Sequence, residues 1–218
     1  MASLPLFPLN TVLFPGMQLK LHIFEERYKL MINSCIEANK PFGVVLIKQG
    51  REALGPVATP CSVGCAASIS DVQRLPLARM NITALGQRRF RIKEIDRSQP
   101  FLLGDVEFFL PVDDQPELIH RYSGVLRPLV INYLERLSPS AFSDFDLELI
   151  PHHPRAIAQI ASIVLQADTA QKQQILAIHS LSRLLLTLIQ IYRVETMLLA
   201  VKSSPPDKDF NIGPFSSN

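Results

Sequence analysis

Within its first thirty residues this chain changes its hydrophobic period from two to that of a helix, around three prolines, and a corner so closely defined limits what can follow. Pro5, Pro8 and Pro15 each fix their own φ and push the preceding residue toward extended geometry, so Leu4, Phe7 and Phe14 are expected to be extended. Pro15-Gly16 reads as a turn. It delivers the chain into Met17 to Ile23, where Leu19, Leu21 and Ile23 alternate with Gln18, Lys20 and His22, the pattern of a strand with one buried face. From there Phe24, Tyr28, Met31 and Cys35 recur at spacings of 4, 3 and 4, which predicts a helix with one apolar side. Glu25 and Glu26 lie in its first turn, where acids favour the helix dipole, and Pro41 ends it at or before Lys40.

Further strands follow. Phe42 to Ile47 is a short β-branched run suited to the centre of a sheet. Lys48 to Pro56 reads as an exposed loop with turns at Gln49-Gly50 and Gly55-Pro56. Val57 to Ser70 is rich in small residues, and Gly64 within it marks a bulge or a close backbone approach. In Ala78 to Leu85, Met80, Ile82 and Ala84 share one side. Leu85-Gly86 then turns the chain into a strand whose Phe90 and Ile92 point inward, with Arg89, Arg91 and Lys93 lining the other face. Leu102 to Leu110 completes the set, its Asp105 and Glu107 placed to face the basic strand. The count is six strands with one helix inserted early, and a half-buried, mostly antiparallel sheet of that length favours closure over an open edge.

The run PLFPLNTVLFPG and the LxLHIFExRY that follows it resemble the opening of the amino-terminal substrate-binding domain of ATP-dependent Lon proteases. Gly86, Arg89, Phe90, Arg91 and Ile92 resemble that family's Gly-x-x-Arg-Phe-Arg-Ile element. Val63, Gly64, Ala67 and Ile69 match its Val-Gly-x-x-Ala-x-Ile pattern, with the alanine displaced or doubled at Ala66. The resemblance implies a stand-alone member of that family, expected to lack the motor and protease domains. The resemblance implies an α+β fold: a PUA-like antiparallel β pseudobarrel with one inserted helix, followed by a C-terminal helical bundle.

The second half supports helices by itself. Asp114 with Glu117 three residues on resembles a capping box, and Leu118, Tyr122, Val125, Leu129 and Tyr133 follow at helical spacing, with Pro128 kinking or dividing the helix. Ser138 to Pro154 reads as a linker with embedded hydrophobes. Asp168 caps a short helix through Ile178, and Ser180 caps the last one, whose Leu181, Leu184, Leu188, Ile191, Val194 and Leu198 form a stripe. Lys172-Gln173-x-x-Leu176 and Arg183-Leu184 resemble the family's helical tail. The expected organisation is a β subdomain over 1–112, a helical subdomain over 113–201 and a flexible tail over 202–218, where Pro205-Pro206 stands among polar residues.

Catalytic constellations are not found in the sequence. It holds no G-x-x-x-x-G-K-[ST] and no G-x-G-x-x-G after a strand. His152 and His153 precede Pro154 in a loop and are read as surface residues, and His22 as a hydrogen-bond partner at the strand–helix corner. Cys61 and Cys65 have the spacing of half a metal site, but without a second ligand pair they are read, with Cys35, as buried or half-buried thiols of a reducing cytoplasm. No metal and no cofactor is expected. Pro5 and Pro8 interrupt the apolar start, which argues against a signal peptide, and Leu184 to Ile191 between Arg183 and Arg193 is too short to span a membrane. With 13 basic and 9 acidic residues before Val112, and 9 basic and 11 acidic from there on, the charge asymmetry alone does not define a nucleic-acid binder.

A binding surface remains. The resemblance implies a non-enzymatic module that engages unfolded or partner proteins, alongside protease or chaperone machinery. Its candidate residues are Leu13, Phe14 and Pro15, Arg27 and Tyr28, and the Arg89, Arg91 and Lys93 face. The alternative assignment gives Phe14, Phe24 and Phe90 to the core and Arg27 to a salt bridge. RNA binding through Arg88, Arg89, Arg91, Lys93 and Arg97 is the second functional hypothesis, and an enzyme with a site assembled from distant residues is the third. A monomer is preferred over a homodimer built through the last helical stripe.

Overall fold

A computed structural model describes residues 2–51, 58–137 and 150–203. The chain forms β1 (Ala2–Leu9), β2 (Gln18–Ile23), α1 (Glu26–Ala38), β3 (Phe42–Gln49), β4 (Thr59–Arg74), β5 (Met80–Asp96) and β6 (Leu102–Phe109). Helices α2 (Pro116–Leu137), α3 (Pro154–Val164), α4 (Thr169–Ala177) and α5 (Leu181–Ser203) follow. The opening corner folds as its period demands. Tyr28, Met31 and Cys35 of α1 are buried, and Asn39 in the left-handed region ends the helix with its N–H on the carbonyls of Cys35 and Ile36. Phe24 departs from that stripe, being 43% exposed.

The expected antiparallel pseudobarrel is corrected to a mixed sheet. β1 and β3 run parallel, from Leu6 opposite Gly43 to Leu9 opposite Leu46. The strand order is β2-β5-β4-β3-β1-β6, with a further pairing of β5 to β6. The physical reason lies in the connection from β1 to β3, which contains β2 and α1 and so is long enough to bring the chain back in the same direction. A hairpin would have forced the antiparallel arrangement.

The turn expected at Leu85-Gly86 is also absent. β5 runs unbroken for 17 residues, pairing its first part with β2 and its second with β6. A register shift against β4 leaves Gln87 as the extra residue between Ala66 opposite Arg88 and Ala67 opposite Gly86. Gly64 fulfils the expected close approach: a Cβ there would stand 2.5 Å from the Val44 carbonyl oxygen and 2.7 Å from the Phe90 ring. The Gly55-Pro56 turn and most of the 138–154 linker lie outside the described residues.

Apolar burial divides between the sheet and the helices. Phe7, Ile23, Met31, Phe42 and Met80 pack α1 against the sheet, while Leu6, Val45, Phe90 and Val106 fill a smaller cluster. The helices bury Leu126, Tyr133, Ile157, Leu184, Leu188 and Tyr192, and Val12, Phe14 and Val63 from the β region join them. α2 continues through Pro128 without division. The beginning of the helical half is tied to the start of α5. Val112 forms an isolated bridge with Ser180, accepts from the Leu181 N–H at 2.9 Å and donates to the His179 carbonyl at 2.6 Å. Asp114 does not complete a box on α2. Its carboxylate accepts from the Ser180 hydroxyl at 2.5 Å, and from the Ser182 hydroxyl at 2.8 Å and N–H at 3.2 Å.

Candidate functional site

The predicted binding residues fall into three environments. Leu13 and Phe14 are buried, because the turn that carries them is clamped on β5. Gly16 N–H donates to the Gly86 carbonyl at 2.8 Å and Gly86 N–H to the Met17 carbonyl at 2.9 Å. Pro15 is half-buried. Arg27 sits at the helix start with its guanidinium 2.8 Å from Glu25 and 4.7 Å over the Tyr28 ring. Tyr28 itself is buried and stacks on Phe7 with ring centres 4.1 Å apart. The ion pair expected of Arg27 is present.

The basic strand is divided rather than uniform. Arg89 is only 5% exposed, and its Nη1 donates to the carbonyls of Ile175, Leu176 and Ile178 at 3.5, 3.1 and 3.4 Å. Those are last-turn carbonyls of α4, which carry partial negative charge and want a cation. Burial pushes the guanidinium down to about 10, with the Cys65 thiol as the opposing influence. Arg91 is exposed and contacts Nε2 of His179, whose pKa is held below the ordinary value by burial and by Arg91 and Arg89. The neutral imidazole accepts that bond. Lys93 pairs with Glu107 at 2.5 Å across the β5–β6 ladder, as the facing charges predict. Arg88 lies 4.8 Å over the Phe108 ring.

Between the 14–17 turn, β5 and the helices lies a cavity of about 150 Å³, lined by Phe14, Pro15, Arg89, Arg155, Leu181 and Leu184 among others. A larger groove of about 340 Å³ runs beside the free edge of β2, over Phe7, Leu9, Leu21, Ile23, Phe24 and Tyr28. At one end of it His22 bonds Asn81 through Nδ1 at 2.8 Å and stacks on Phe24, so His22 serves the corner as expected. Because Ile23 pairs with Met80, Phe24 leaves the sheet at the end where the β4–β5 turn stands.

That turn carries a residue the sequence reasoning missed. Leu77 is 75% exposed at φ +61°, and Ala78 follows at φ +53°. Left-handed backbone is costly for a residue with a branched side chain. It is held by buried Lys29, whose Nζ donates to the Leu77 carbonyl at 2.9 Å and to Glu26 at 2.7 Å. The available signal was Leu75-Pro76, a turn marker that leaves the following leucine with no apolar partner of its own period. Leu30 on α1 is likewise 58% exposed. Among the described residues no group of three or more His, Cys, Asp or Glu could hold a metal, and no helix is long and apolar enough to cross a membrane.

Comparison with known proteins agrees with this architecture. A family profile for the ATP-dependent protease La (LON) substrate-binding domain matches residues 3–193. The Lon protease of Roseiflexus castenholzii is 31% identical over 169 residues, covering 77% of this chain and 19% of that protein. The Lon protease of Parabacteroides distasonis is 24% identical over 209 residues, 93% of this chain and 25% of that protein. The chain thus spans about a quarter or less of the length of these relatives. A crystal structure of a Lon N-terminal domain protein from Xanthomonas campestris superposes with a TM-score of 0.62 at 25% identity, covering 87% of this chain and 98% of that one. The N-terminal domain of the Mycobacterium avium complex Lon protease shares the fold, with a TM-score of 0.69 at 19% identity over 88% of this chain and 98% of that one.

Proposed function

The chain belongs to the LON substrate-binding domain family, and on that premise we propose that it binds polypeptide, engaging partly unfolded chains or a partner protein for quality control. The observation that carries this reading beyond family membership is Leu77, a leucine in left-handed backbone, three-quarters exposed and fixed by a buried lysine. Left-handed residues at 77 and 78 are what the tight hairpin turn between β4 and β5 requires, and they hold the Leu77 side chain out into solvent, where it is available to a client. Phe24 at the same end of the sheet, with the groove beside β2, extends the apolar surface available to a non-native chain.

An RNA-binding face is less well supported. Of the five cations in that stretch, Arg89 is buried against α4 and Lys93 is paired with Glu107, which breaks the continuity a phosphate backbone would track. The cysteines are unpaired, and Cys35 and Cys65 are buried, which supports placing the protein in a reducing, cytoplasmic compartment.

The test is fluorescence-anisotropy titration of a reduced, carboxymethylated client protein against the intact chain and its Leu77→Ser and Phe24→Ser variants. Saturable binding is expected, weakened at least fivefold by Leu77→Ser while thermal stability holds. Absence of affinity for any non-native client, with the protein folded, overturns the proposal.

A further inference from the structure

The cavity beneath the 14–17 turn holds a buried cation whose bonding is incomplete. All hydrogen bonds of Arg89 among the described residues leave from Nη1, toward the α4 carbonyls. Its Nε and Nη2 N–H groups are left over on a side chain that lines the cavity. None of the described lining residues is acidic. The second arginine there, Arg155, already serves others: Nη1 donates to the Pro111 carbonyl at 2.5 Å and Nη2 pairs with Asp113 at 2.8 Å. A guanidinium that lines an apolar cavity with Nε and Nη2 without partners among the described residues has two parallel donors and a net charge to offer there, the combination that selects a carboxylate in fork geometry. The helix carbonyls balance only part of its charge.

The other walls set what the carboxylate is attached to. Phe14, Pro15, Leu181 and Leu184 are apolar, and a volume of about 150 Å³ equals on the order of five waters' share of liquid. That admits a carboxylate and one side chain of leucine size. Gln87, Leu110 and Gln159 are exposed lining residues; the Gln87 Nε2 already donates to the Ser68 hydroxyl at 2.8 Å, which leaves its amide oxygen and the Gln159 amide to meet a peptide backbone leading away.

We propose that this cavity is a receptor for the free C-terminal carboxylate of a polypeptide ending in an apolar residue, held by Arg89 with the last side chain against Phe14 and Leu184. It rests on the polypeptide-binding reading and gives it a chemical end-specificity. The Leu77 surface would meet the body of a client, and this cavity its end.

The experiment titrates the full chain with a fluorescent ten-residue peptide ending in leucine, as free acid and as C-terminal amide, with 4-methylpentanoate as competitor. Because Arg89→Ala would strip the α4 carbonyls and endanger folding, the informative variants are Gln87→Glu and Gln159→Glu, exposed positions that place a carboxylate at the entrance. The free acid is expected to bind at least tenfold more tightly than the amide, and each variant to reduce that preference at least fivefold with its melting temperature unchanged. Equal binding of acid and amide overturns the assignment, as does failure of 4-methylpentanoate to displace the free-acid peptide. A client with a blocked C-terminus separates this from the broader reading. If it still binds while acid and amide are equal, only the cavity assignment falls. If it fails to bind while acid preference persists, only the broader reading falls.

Discussion

A Cβ on Gly86 would lie 2.2 Å from the carbonyl oxygen of Phe14. The two residues face each other where the Pro15-Gly16 turn lies on the middle of β5, and the contact is with backbone, which has no rotamer by which to retreat. Gly86→Ala is therefore expected to push the turn off the strand, breaking the two hydrogen bonds that Gly86 shares with Gly16 and Met17. Overpacking of this kind costs about 1–3 kcal/mol, and the two lost bonds bring the total to about 2–6 kcal/mol. Urea denaturation of the variant checks it. An unchanged midpoint would show that the turn is not clamped there.

Asp114 ties the beginning of the helical half to the start of α5 through a carboxylate held at about 2, below its ordinary 3.8, first by the Ser180 hydroxyl and then by the Ser182 hydroxyl and N–H, with burial opposing them. A carboxyl whose folded pKa is depressed contributes stability that is fully present above its ordinary value and is lost as pH falls through the folded one. The difference in melting temperature between the parent and Asp114→Asn should accordingly be largest above about pH 4 and vanish near pH 2. Melting curves at pH 5, 4, 3 and 2 read this directly. A difference that stays constant over that range would remove ionic hydrogen bonding as the cause.

Thiol labelling distinguishes three environments. Burial pushes Cys35 up to about 11 and Cys65 up to about 12. Cys61 is also raised by burial, with nearby Lys48 opposing, but it is only half-buried. Ellman's reagent at pH 8 should react with Cys61 first and more slowly than with a free thiol, because the thiolate is the nucleophile. Cys35 and Cys65 should react only as fast as the protein unfolds. Rapid labelling of all three in native buffer would contradict the packing around β4 and α1.

Among the expected binding residues, stability and binding should separate by position. Phe14→Ala removes a fully buried ring and should cost about 3–5 kcal/mol, so the binding it loses combines unfolding with loss of a cavity wall. Lys93→Gln breaks an ion pair whose partners are both substantially exposed and should change stability by less than about 1 kcal/mol. A loss of client affinity in Lys93→Gln, measured on a protein with unchanged melting, would locate contact on the β5–β6 face. No loss would leave contact to other surfaces, the Leu77 end among them.

What could be read from sequence was local. β2 and α1 are written in their periods, and Asp168 accepts the Gln171 N–H at 2.7 Å as its place before a helix predicts. Ser180 caps α5, accepting from the Arg183 N–H at 3.0 Å. What was hidden was long-range. Arginine on a strand looks exposed by default, yet the carbonyls that hold Arg89 come 86 to 89 residues later, and no local pattern announces them. The parallel pairing of β1 with β3 depends on how α1 packs, so six strands were foreseen and their arrangement was not. Gly86 looked like a turn because glycine marks turns more often than it marks contact with another backbone. Leu77 was missed because left-handed leucine runs against the propensities used to find structure. Of the eight binding residues read from sequence, four lie inside, at Leu13, Phe14, Tyr28 and Arg89.

The bridge between Val112 and Ser180 joins the two ends of everything that lies between them. Helices α2, α3 and α4 thus form an excursion that leaves and returns at one point, and α5 is held both there and along its length, where Leu184, Leu188 and Tyr192 share a core with Leu126, Tyr133 and Ile157. α5 then runs outward to Val194, Met197 and Leu198, all exposed. Force applied there by anything that grips the far end is shared between the packing of α5 on α2 and α3 and the junction at Asp114 and Val112. A change of register within α2 or α3 therefore reaches α5 through that shared core as surely as a substitution at the junction does.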